Sequence, residues 1–138
     1  MTYVVDASVA LKWVIPEPLS DRAAHLLDNG EGLIAPEMLL IEVANALWRK
    51  IARREITARE GNRALELLSE SGLDLTPAAP LVGRALDLAR MLQHPVYDCV
   101  YLALAERERA TLVSADARLV ALASHHRLRV TAVDLAKL

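Results

Sequence analysis

The sequence predicts an α/β sandwich built on a mostly parallel central sheet. Short runs rich in β-branched residues alternate with stretches of helical spacing from end to end, the pattern of a parallel sheet covered on both faces. One helical stretch, VYDCVYLALAE at 96–106, is apolar almost all round and therefore belongs at the centre. The 138 residues are 54% hydrophobic and 25% charged, enough for a real core and too apolar for disorder. One domain spanning 1–138 is expected, with no internal repeat, low-complexity tract or linker.

The elements follow in chain order. TYVV, bounded by Asp6, is a buried strand. ASVALKWVI switches to helical spacing, with Val9, Trp13 and Val14 on one side, and ends at Pro16. LSDRAAHLLDNG is a second helix stopped by Asn29-Gly30, and GLIAP a short strand. The longest amphipathic stretch, PEMLLIEVANALWRKIARRE, carries an apolar stripe of Leu40, Val43, Ala44, Leu47 and Ile51. TARE at 57–60 is a capping box opening a helix to about Ser71. DLTP is a strand, and PLVGRALDLARMLQ a helix that stops before His94-Pro95. The apolar helix follows; ATLVSAD is then a strand ending in an acid, ARLVALASHH a short helix, and LRVTAV a last strand.

Composition removes several classes of function. A net charge of −2 gives no global basic field, so any nucleic-acid contact needs a local patch or a metal. The single cysteine, Cys99, excludes an internal disulfide framework and suits a reducing compartment. No apolar run approaches the ~18 residues of a membrane span, and MTYVVDAS does not read as a signal peptide. The expected location is cytoplasmic.

Four acids sit at informative places. Asp6 follows the first strand and Asp116 follows TLVS with one residue between, so both belong to the carboxyl edge of a parallel sheet, where ligands bind. Asp98 stands in an apolar run at the start of its helix. It reads either as an N-cap or as a carboxylate paired with a cation, and the two roles are compatible. Glu42 lies on the long helix three residues before Asn45, on one face with it. Taken singly, Asp6 and Asp116 have the ordinary role of helix N-caps, and Glu42 that of a solvated helical acid. Clustered, four carboxylates would repel and raise one another's pKa values unless a cation lay between them. Hard oxygen donors without a cysteine or histidine set point to Mg²⁺ or Mn²⁺, not zinc.

YVVDASV, PEMLLIEVANAL, VYDCVYLALAE and LVSAD fall in the order and spacing of PIN-domain nucleases, and the chain resembles most closely the VapC toxins of toxin–antitoxin pairs. The resemblance runs from Thr2 to about Asp134. It implies a PIN-like three-layer α/β/α sandwich and a metal-dependent endoribonuclease, its products carrying 5′-phosphate and 3′-hydroxyl ends. It also implies a homodimer silenced by a cognate VapB-like antitoxin, which inserts a segment along the active-site groove. By match to motif, Asp6, Glu42, Asp98 and Asp116 form the acidic, metal-holding site, with Ser8, Asn45 and Ser114 as supporting polar residues. Ser114 stands where the family more often has threonine, and Leu119 where many members carry an aromatic.

Arg49 and Arg53 project from about the same face as Glu42 and read either as an RNA-phosphate strip or as a solvated face complementing the helix dipole; Lys50 and Arg54 extend that edge. His125-His126 lacks a third ligand at metal spacing, and Cys99 reads as inert core. Trp13 and Trp48 read as packing or interface residues, and Tyr97 and Tyr101 as core. The residues bear on four rival readings. A non-catalytic binding module of the same fold should lack at least one acid, and none is missing. A receiver domain or a haloacid-dehalogenase-type phosphatase needs a second acid beside the first strand, where Ala7 and Ser8 stand. A housekeeping RNA-processing PIN nuclease differs from a toxin only in its biological role.

Overall fold

The computed structural model describes residues 1–29 and 32–138. Among them β1 (Thr2–Val5), β2 (Gly32–Pro36), β3 (Asp74–Thr76), β4 (Thr111–Ser114) and β5 (Ala132–Asp134) form one sheet in the order β3-β2-β1-β4-β5, parallel at every pairing. The helices are α1 (Ala7–Val14), α2 (Ser20–Asp28), α3 (Met38–Ala52), α4 (Ala58–Ser69), α5 (Val82–Leu92), α6 (Val96–Glu108) and α7 (Ala117–Leu122). Gly30, expected with Asn29 to stop the second helix, lies outside the described residues.

The chain builds outward from β1 through β2 to β3, then returns to lay β4 and β5 on the other side of β1. Right-handed crossovers therefore put α1–α4 on one face and α5–α7 on the other. The packing agrees: α1 rests on α2, α3 and α4, α5 pairs with α6, and α7 lies on β4 and β5. This is the expected α/β/α sandwich. α6 is its central helix, buried at every position from Cys99 to Ala105 and packed on β1, β2 and β4.

Four local expectations shift. The buried stripe of α3 is Leu39, Val43 and Leu47, while Leu40 and Ile41 are exposed. Residues 38–41 are a continuous apolar run, so periodicity cannot choose among them, and packing against α1 and α4 does. The stretch before α5 breaks into a 3₁₀ turn at Ala79–Leu81, with Pro80 inside it. α7 ends at Leu122, short of the two histidines. The last strand is only Ala132–Asp134, because β4 offers it three partners, Leu112 to Ser114.

The capping box forms as read: Thr57 Oγ1 accepts from Glu60 N–H at 3.1 Å and Glu60 Oε1 accepts from Thr57 N–H at 3.0 Å. Thr57→Ala should lower stability by about 1 kcal/mol, measured by urea denaturation, with an unchanged midpoint refuting the cap's contribution. Gly61 lets α4 lie close on α3, since a β-carbon there would come within 2.8 Å of Ile51 Cδ1.

Candidate active site

The chain reverses direction across the sheet between β1 and β4, which makes the carboxyl ends of those strands the switch point of the fold. Val5 pairs with Val113, so the next residues, Asp6 and Ser114, emerge side by side. Asp6 is only 6% exposed. Its Oδ1 accepts from Ser8 Oγ at 2.6 Å and from Val9 N–H at 3.3 Å, and its Oδ2 accepts from Ser114 Oγ at 2.5 Å. The hydroxyls also stitch the two strand ends together. Ser8 Oγ accepts from Ala115 N–H at 3.0 Å, and Ser114 Oγ from Asp116 N–H at 2.9 Å.

The helical acids approach from both layers. Glu42, half-buried on α3, accepts a hydrogen bond at 2.8 Å from the hydroxyl of Tyr101 on α6. Asp98 lies in the first turn of α6 and pairs with His94 Nε2 at 2.6 Å. It is not the N-cap; Pro95 holds that position, with no side-chain cap. Asp6 and Asp116 do cap α1 and α7, so the ordinary reading of each is part of its role.

The electrostatics join these groups. Burial pushes the Asp6 carboxyl above its ordinary value against the donation of Ser114, Ser8 and Val9, and the charge of Asp116 pushes the same way. Burial likewise raises Glu42, Tyr101 draws it back, and the charges of Asp6 and Asp98 push it up again. Two carboxyls held above their normal range by burial and by acidic neighbours are a place where a cation is favoured. Among the described residues no three acids or histidines form a closed cage for an ion. The donor set, carboxylates and hydroxyls with no thiolate, still fits Mg²⁺ or Mn²⁺, which keep several waters and need few direct carboxylates. Beside the acids lies a groove of about 320 Å³ lined by Ser8, Lys12, Glu17, Glu42 and Arg49.

A family model for the PIN domain matches residues 3–124. The chain belongs to the PIN-domain family. Ribonuclease VapC3 of Pyrobaculum aerophilum is 32% identical over 121 residues, covering 86% of this chain and 92% of that protein. Ribonuclease VapC9 of Mycobacterium tuberculosis is 35% identical over 116 residues, with 84% and 87% covered. Among solved structures, that of PAE2754 from Pyrobaculum aerophilum superposes with a TM-score of 0.71 at 22% identity, covering 99% of this chain and 85% of that one. VapC20 of Mycobacterium tuberculosis, a sarcin–ricin loop cleaving toxin, gives 0.67 at 15% identity over 86% and 93%.

This PIN domain treats the remaining candidates unequally. Asn45 is exposed and bonds to none of the acids. Arg49 reaches the groove, Arg53 is the exposed C-cap of α3, and Lys50 is held by Glu17 at 3.0 Å. Trp13 ties α1 to α2 through Ala23 C=O at 2.8 Å, while Trp48 is exposed. Tyr97, expected in the core, is 71% exposed. Cys99 is buried, and burial together with the Asp98 charge pushes its thiol up, away from reactivity.

Two contacts escape the sequence reading: Tyr101 on Glu42, and His94 on Asp98. The available signal was spacing: Tyr101 lies three residues after Asp98 on α6, and His94 four before it, just ahead of the Pro95 cap. Burial and the Glu42 charge lift the Tyr101 hydroxyl far above its normal range, so it stays a donor. Tyr101→Phe removes that donor and raises the Glu42 carboxyl further. Mn²⁺ affinity should then fall by up to about tenfold at acidic pH and by less as pH rises, read by calorimetry. An unaltered pH dependence would detach Tyr101 from the site.

Proposed function

We propose that this PIN domain, a single domain over 1–138, is a Mg²⁺- or Mn²⁺-dependent endoribonuclease. We read it as the toxin of a VapBC-like pair, a cytoplasmic homodimer held inactive by a VapB-like antitoxin. The observation that carries the reading is the environment of Asp6: a carboxylate buried at the switch point, raised by burial, with Asp116 beside it and Glu42 and Asp98 in its field. The relatives named VapC ribonucleases, at 32–35% identity over most of the chain, support the substrate class.

Asp6, Asp98, Asp116 and Glu42 would hold the ion. Once bound, it supplies an acidified water as nucleophile and neutralises charge on the phosphoryl oxygens. Ser8 and Ser114 fix the rotamer of Asp6, so both its oxygens keep one orientation. Tyr101 steadies Glu42, and His94 steadies Asp98. Arg49, in the groove beside Glu42 and without an ion-pair partner among the described residues, is placed to meet an RNA phosphate. Among the described residues no helix is long and apolar enough to cross a membrane.

The test is cleavage of end-labelled total RNA by the purified, antitoxin-free protein with Mg²⁺ or Mn²⁺ against EDTA, with Asp98→Asn alongside. Metal-dependent cutting lost in the variant is expected, and Asp98→Asn should also lose Mn²⁺ binding while remaining folded. A folded, metal-bound protein that cuts no RNA would return the chain to the class of binding modules.

A further inference from the structure

The four site acids gather at the carboxyl edge of the sheet, and a group of arginines gathers at its amino edge. Arg109 closes α6 just before β4, and Arg129 stands just before β5, so both lie at the amino edge of the sheet. Asp98 and Arg109 are eleven residues apart on one helix, ~16 Å along its axis. A groove of about 560 Å³ opens at this edge, lined by Arg84, Glu106, Arg109, Arg127 and Arg129. Arg84 is pinned by a two-pronged pair with Glu106, at 2.7 Å and 2.9 Å. Arg109, Arg127 and Arg129 have no ion-pair partner among the described residues. In a chain of net charge −2, this is a marked local concentration of positive charge.

The groove continues. Arg127 also lines a second hollow of about 440 Å³ with Asp87, Arg90, Met91, His125 and His126; Arg90 lies 4.0 Å from the Asp87 carboxylate, and the two imidazoles stack at 4.6 Å between centroids. α5, which carries Arg84 and Arg90, runs on to Gln93 and His94, the partner of Asp98. α5 therefore spans the distance between the arginine groove and the acids.

Arg109 holds a further indication. It sits at φ 53°, the left-handed position after a helix where glycine is the favoured residue. An arginine there costs the fold something and places a guanidinium in the groove.

We infer that this arginine groove is a second RNA-binding site, holding the phosphate backbone of a single-stranded segment remote from the cleavage point. The choice of RNA rests on the ribonuclease reading and on the lining. Planar guanidinium forks match phosphate oxygens, and stacked imidazoles offer a face to a base. Among the described residues, the 560 Å³ groove has no aromatic or aliphatic anchor of the kind that carries a protein interface.

The experiment is fluorescence anisotropy of a labelled single-stranded RNA twelve-mer in EDTA, across a salt series. Arg109→Gly combined with Arg129→Gln should weaken binding by about tenfold or more and flatten the log–log salt slope by ~1.4, two single-strand contacts. Arg59→Gln, on α4 away from the groove, should leave both unchanged. Arg109→Gly relieves the left-handed backbone, so a loss of binding cannot be put down to unfolding; a thermal melt checks this. No saturable binding, an affinity equal to wild type, or a loss matched by Arg59→Gln would overturn the inference. So would competition by polyglutamate as effective as that by RNA, which would make the groove a protein-docking site. Binding in EDTA involves neither metal nor cleavage, so failure of the ribonuclease reading would show separately in the cleavage assay.

Discussion

Asp6→Asn is expected to cut metal-dependent RNA cleavage by at least ~10²-fold, about 3 kcal/mol of transition-state stabilisation, and yet to make the metal-free protein lose less melting temperature than wild type as pH rises. The two effects have one cause. Asp6 and Glu42 bind protons more tightly in the folded chain than their ordinary values of 3.8 and 4.5. Their contribution to stability is thus fully present below those values and is lost as pH rises through the higher folded ones. Once pH exceeds the raised folded values, the metal-free fold carries buried charge, which an uncharged amide at position 6 relieves. Melting curves in EDTA from pH 4 to 8 should show wild type losing stability with rising pH more steeply than the variant. Adding Mn²⁺ at pH 7.5 should stabilise wild type alone. A variant less stable than wild type throughout, in EDTA, would mean that the serine hydrogen bonds outweigh burial at Asp6.

Leu102→Ala is expected to be the most damaging of the simple core substitutions. Leu102 is fully buried in the middle of α6, the helix that touches three strands and α5 together. Truncation there leaves a cavity that neither the sheet nor α5 can close, costing about 3 kcal/mol and roughly 10 °C in melting temperature. Guanidinium denaturation reads it directly; a loss below about 1 kcal/mol would show that the centre of the sandwich collapses around the gap. A smaller loss at exposed Leu40 would separate the true α3 stripe from the expected one.

Most elements were legible because alternation of strand and helix periods is a local property. TARE specified its cap, and the all-round apolarity of 96–106 specified burial before any neighbour was known. Where a local pattern was degenerate, reading stopped. The run Met38–Ile41 allowed more than one stripe, and VYDCVY contained two tyrosines that look alike. One of them, Tyr101, turned inward to Glu42, and the other, Tyr97, turned to solvent. Four positions on a helix separate them, but their environments are set by what packs against α6.

The sequence by itself determined the fold class, the edge of the sheet to which Asp6 and Asp116 belong, and the family, because these follow from order, spacing and period along the chain. Only the tertiary structure decided how the acids are held. Ser8 and Ser114 bridge two strand ends more than a hundred residues apart, Tyr101 reaches across layers to Glu42, and the arginines of α5, α6 and the segment before β5 converge on one groove. Those contacts join residues with no periodic relation. Their geometry comes from strand register and layer packing, which no stretch of sequence contains alone.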